Sequence, residues 1–70
     1  MTGNQIEFFD DIYRKYYKMM YDVALRIVKN PEIAEDVVAD TFLVLITKIN
    51  AVIEHEQPVK WLFRVLKNNA

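Results

Sequence analysis

Asn30-Pro31-Glu32-Ile33-Ala34-Glu35-Asp36-Val37-Val38-Ala39-Asp40-Thr41-Phe42-Leu43 carries a start signal for a helix and then the pattern of one. Proline has no N–H to donate and biases the preceding residue away from helical geometry, yet it fits the first helical position. Asn30 is therefore the expected N-cap and Pro31 the first helical residue. From there Ala34, Val38, Phe42, Leu45, Ile49 and Val52 recur at steps of three or four, with Val37 and Ile46 widening the stripe. This predicts a helix over 31–53. The β-branched residues Val37-Val38 and those between Val44 and Thr47 lower its intrinsic propensity, so tertiary packing must hold it.

Toward the N-terminus, Phe9, Ile12, Tyr16, Met20, Val23 and Ile27 trace a second stripe. Asn4, with Glu7 three residues on, resembles a capping box, which predicts a helix over about 5–29. Its tyrosines, Tyr13, Tyr16, Tyr17 and Tyr21, read as half-buried core with wet hydroxyls rather than as a stacking platform. Arg14, Lys15 and Lys18 read as solvent-facing. Toward the C-terminus, Glu54-His55-Glu56-Gln57 is polar and leads to a second proline, Pro58, with His55 read as a loop residue. A third helix is predicted over 59–69, with Trp61, Leu62, Val65 and Leu66 on its apolar side. Lys67-Asn68-Asn69-Ala70 contains no stop signal, so this last helix is expected to be truncated. The fold class is all-α, a three-helix bundle.

With 70 residues, 53% hydrophobic and 27% charged, the composition is that of one small globular domain. Cysteine is absent, which excludes disulfides and thiolate metal sites, and His55 is the lone histidine. No apolar run approaches the roughly twenty residues needed to span a bilayer, and the opening lacks signal-peptide regions. A cytoplasmic location without membrane association is expected. Neither a nucleophile–base set, a glycine-rich phosphate loop nor a metal-ligand pattern is present, so no enzyme activity, catalytic residue, metal, cofactor or small-molecule substrate is expected.

The net charge of −1 conceals a segregation. Residues 31–40 hold four acids, Glu32, Glu35, Asp36 and Asp40, and no base; residues 59–70 hold three bases, Lys60, Arg64 and Lys67, and no acid. Asp36 and Asp40 are four apart and project from one helix face, suited to Arg or Lys on a partner. Spacing alone leaves open a solvated face that complements the helix dipole. Lys60, Arg64 and Lys67 suit phosphates, or simply keep an amphipathic helix soluble. Trp61 suits stacking on an unpaired base, although its neighbours Leu62 and Val65 favour packing; Phe63 is the alternative ring.

The run Ala34–Leu43, the later Trp61-Leu62-Phe63-Arg64-Val65-Leu66-Lys67-Asn68-Asn69-Ala70 and the opening Phe8-Phe9-Asp10-Asp11-Ile12-Tyr13-Arg14-Lys15-Tyr16-Tyr17 together resemble region 2 of the bacterial sigma-70 superfamily. The extracytoplasmic-function (ECF) type is the most similar group. The resemblance implies a sigma factor domain that acts in transcription initiation. Its acidic helix, through Glu32, Glu35, Asp36 and Asp40, would bind the β′ clamp helices of RNA polymerase. Its basic helix, through Lys60, Trp61, Phe63, Arg64, Lys67 and Asn68, would recognise and melt the minus-ten promoter element. An anti-sigma factor is a further implied partner. Ala39 stands where the family often has Gln, and Asp40 is a methylene shorter than the commoner Glu, which implies a differently arranged polymerase contact. The family's specificity loop and its second DNA-binding domain would lie beyond Ala70, so these residues alone are expected to discriminate promoters poorly. The alternative is a sigma-like module that binds an anti-sigma factor or self-associates without supporting transcription. An ordinary helix-turn-helix protein would need shorter helices, a tight turn and a less acidic balance.

Overall fold

A computed structural model describes residues 1–70 as four helices without a strand: α1 (Gly3–Val28), α2 (Pro31–Thr47), α3 (Ile49–Val52) and α4 (Pro58–Asn69). The three long helices form the bundle, with α1 packed chiefly on α2 and α4 closing against both. The short α3 continues α2 after a break.

α1 begins earlier than its sequence suggests, because two cap-competent residues compete. Thr2, not Asn4, is the N-cap: its hydroxyl accepts from the Gln5 N–H at 3.2 Å, and Gln5 Oε1 accepts from the Thr2 N–H at 3.0 Å. The same Gln5 side chain donates to Asn50 Oδ1, which ties the start of α1 to α3. At the other end the helix stops at Val28. Asn30 must be extended to precede proline and to cap α2, so Lys29 takes the left-handed C-cap position at φ 57° and donates its N–H to Leu25 O at 2.8 Å. The core line of α1 runs Ile12, Tyr16, Met20, Ala24, Val28 at steps of four. Ile27, expected in the stripe, is instead exposed.

α2 is capped as expected. Asn30 Oδ1 accepts from the N–H groups of Glu32 (2.9 Å) and Ile33 (3.2 Å). Ala34, Val38, Phe42, Leu45, Ile49 and Val52 are all buried, as is Val37, whereas Ile46 is exposed. The single helix expected over 31–53 breaks at Lys48, whose φ of −110° and ψ of 23° leave the helical region. Just before it, the Thr47 hydroxyl donates to Leu43 O at 2.9 Å, a back-bond that bends helices. Just after it, the N–H groups of Ala51 and Val52 both turn to Lys48 O. Ile49 and Val52 stay in the core through the break.

α4 starts at Pro58 and places Leu62 and Leu66 in the core with no exposed surface. A leucine buried to that extent contributes about 2–3 kcal/mol through removal of its apolar surface from water. Thr41 is the one polar residue in the buried set, and its hydroxyl donates to Val37 O at 2.8 Å.

Candidate functional site

The cap on α2 fixes the direction in which its acids point. With Ala34, Val37, Val38, Thr41 and Leu45 turned inward, Glu32, Glu35, Asp36 and Asp40 are all exposed on the outer side. None has an ion-pair partner in the chain, whose single salt bridge joins Arg14 to Asp10 at 3.1 Å on α1. An exposed i,i+4 pair of that kind adds little to stability.

Beside Glu35 lies an open groove of about 360 Å³ between α1 and α2, lined by Tyr13, Tyr17, Glu35, Ala39, Phe42, Leu43 and Ile46. Its wall is aromatic: Tyr13 lies 4.9 Å from Phe42 and 5.2 Å from Tyr17, centroid to centroid. Leu43 is 59% exposed at its edge. Burial, then the neighbouring Tyr13, Glu35 and Tyr21, raise the Tyr17 hydroxyl above its ordinary pKa, so it is an uncharged part of this wall. Sequence reasoning missed the groove because it placed Ile46 in the core. The available signal was Ala39, Leu43 and Ile46 recurring at steps of four and three, one face away from the buried line.

Lys60, Phe63, Arg64, Lys67 and Asn68 follow one another along one face of α4 and line a second open hollow of about 360 Å³. A smaller one, about 110 Å³, is formed by His55, Gln57, Lys60, Trp61 and Arg64. Trp61 and Phe63 are each half-buried: one side packs on the core and another reaches these hollows. Trp61 thus packs as its neighbours Leu62 and Val65 favoured, and part of its ring stays accessible. His55 adds a local role, since its Nδ1 accepts from the Gln57 N–H at 2.9 Å and shapes the turn into α4.

No three His, Asp or Glu side chains gather as a metal site, and no helix is long and apolar enough to cross a membrane. The geometry is that of two charged faces, an acidic one edged by an apolar groove and a basic one interleaved with aromatic rings. The family model described as Sigma-70 region 2 matches residues 12–70. The chain belongs to the sigma-70 region 2 family. Sigma-70 region 2 is a DNA-binding helical bundle of transcription initiation factors; it is not enzymatic, and its partners are the RNA polymerase core and promoter DNA. The match starts at Ile12, the first buried residue of α1, and takes in both faces. No curated protein and no solved structure gives a significant match.

Proposed function

We propose that this region 2 docks on the β′ clamp helices of RNA polymerase through Glu32, Glu35, Asp36 and Asp40, and that α4 engages and opens the minus-ten promoter element. The observation that carries the reading is the placement of four unpaired carboxylates on α2 and of a basic, aromatic hollow on α4 of one scaffold. Charge-assisted bonds from Arg or Lys of a clamp helix to Asp36 and Asp40 would set docking register. The neighbouring groove, with Leu43 and Ile46 exposed, would take apolar side chains of that same helix.

On the other face, Lys60, Arg64 and Lys67 hold phosphates, a contribution that weakens as salt rises because displaced counterions gain less on release. Phe63 and the outer edge of Trp61 offer ring surface to an unpaired base, and Asn68 offers an amide to a base edge. Extruding a base costs a few kcal/mol, which such contacts offset only for the melted strand.

The test is binding to a β′ clamp-helix fragment. Reversal of charge in an Asp36→Lys, Asp40→Lys variant should weaken that binding at least about tenfold while the fold is kept, because both side chains are exposed. Unchanged binding would remove the acidic face from the interface and favour an interaction module of another kind.

A further inference from the structure

One polar residue stands in the core, and it meets an exposed one at the rim: Thr41 is fully buried and Asn69 is exposed. On α2, Val37, Thr41 and Leu45 follow at steps of four and all three are buried, with Thr41 fully so. On α4, Leu62, Leu66 and Asn69 continue one line at steps of four and three. The Asn69 amide, Nδ2, donates to Thr41 Oγ1 across a long bond of 3.5 Å. Thr41 needs no partner for its own proton, which already goes to Val37 O, so its hydroxyl oxygen is free to accept from Asn69.

A directional polar contact between two helices favours one alignment where apolar contacts alone do not; here it joins the buried Thr41 to Asn69 at the edge of the interface. α4 has reason to need this. It has no side-chain N-cap, and only Leu62 and Leu66 hold it in the fully buried core. Two leucines on one line permit a roll, and a roll of about 20° moves a side chain some 6 Å from the helix axis by about 2 Å. In a roll confined to the last turn, where Asn69 lies, the residues displaced would be Lys67 and Asn68.

We infer that Thr41 and Asn69 are a positioning pair that sets the axial rotation of the last turn of α4, and so the aim of Lys67 and Asn68 at nucleic acid. Thr41 also follows Asp40 directly, so the pin joins the polymerase-facing helix to the DNA-facing one. The inference rests on the proposed function for its consequence, though not for its geometry.

The experiment compares Thr41→Val, Asn69→Leu and Thr41→Ser in the 70-residue chain, with three readouts: thermal stability, binding to the clamp-helix fragment, and binding to a short thymine-rich single-stranded DNA. Thr41→Val and Asn69→Leu should keep or raise the melting temperature and leave clamp binding unchanged. Both should lower DNA affinity about three- to tenfold, the effect of one lost hydrogen bond. Thr41→Ser, which keeps the hydroxyl, should bind DNA as the unaltered chain does. In ligand-free Thr41→Val the backbone amide resonances of Lys67 and Asn68 should move. Unmoved resonances, DNA affinity unaffected by the apolar variants, or a parallel loss of both ligands with stability would each overturn the inference. If the unaltered chain binds neither ligand, the proposed function fails, and the amide resonances still decide whether the pin exists.

Discussion

α2 begins on an asparagine whose side chain satisfies two backbone N–H groups, and it buries six residues; α4 begins on a glutamine that caps nothing and buries two. Both carry a charged outer face, so the difference lies beneath it. The acidic face stands on a helix anchored at its start and along its length. The basic face stands on a helix held by two leucines, five half-buried residues (Pro58, Val59, Trp61, Phe63 and Val65) and one long hydrogen bond from Asn69 to Thr41. Elements with few buried contacts open at lower free energy, so the face proposed to engage DNA stands on the looser helix and the face proposed to dock on polymerase on the firmer one.

The largest effect expected from this contrast is in the core. Leu45→Ala should cost about 3 kcal/mol, a large share of the roughly 4–10 kcal/mol that a chain of this size possesses. Leu66→Ala, on the helix with fewer buried neighbours to close around the space, should cost less. Urea unfolding of the two variants measures both, and an equal or greater cost at Leu66 would break the comparison. The caps come next. Asn30→Ala should lose about 1 kcal/mol, whereas Gln57→Asp, which supplies α4 with the side-chain acceptor it lacks, should gain about 0.5–1 kcal/mol. A gain at Gln57 accompanied by slower amide exchange confined to α4 would sharpen the contrast; no gain would show that α4 is already fixed at its start.

The smallest effect is in alkali. The Tyr17 pKa is raised above 10.0, chiefly by burial, so folding favours the neutral phenol. That contribution is present in full below pH 10.0 and is lost as pH rises through the folded-state pKa. Melting temperature should therefore decline faster above pH 10.0 in the unaltered chain than in Tyr17→Phe. Identical alkaline limbs would place the hydroxyl in water.

Much of this was legible in the sequence because apolar periodicity reports burial directly. Ala34, Val38, Phe42, Leu45, Ile49 and Val52 all lie in the core, although Ile46, read as widening that stripe, does not, and Asn30-Pro31 is the boundary it announced. Four features were not legible, each for a physical reason. The break at Lys48 is invisible to periodicity, since Leu45, Ile49 and Val52 keep helical spacing through it. The α1 cap was read at Asn4, but the box forms earlier, between Thr2 and Gln5, whose side chain also reaches Asn50, far along the chain. The groove beside Glu35 needs two helices to exist. Asn69 resembled any polar residue near a terminus until Thr41 appeared opposite it. The charged faces were readable as segregation in the chain, whereas the half-buried state of Trp61 and Phe63, which lets each serve core and surface, depends on how far α4 sinks into the bundle.

The central claim is that one scaffold holds the two charged faces far enough apart in orientation for both partners to be gripped together. Its most direct test is a ternary-complex measurement. Fluorescent single-stranded promoter DNA is bound to the chain and the β′ clamp-helix fragment is titrated in, with anisotropy and sedimentation followed together. Simultaneous occupancy, with DNA retained as the clamp fragment adds mass, is the expected result. Displacement of the DNA by the clamp fragment would mean that the faces overlap, and would contradict the account.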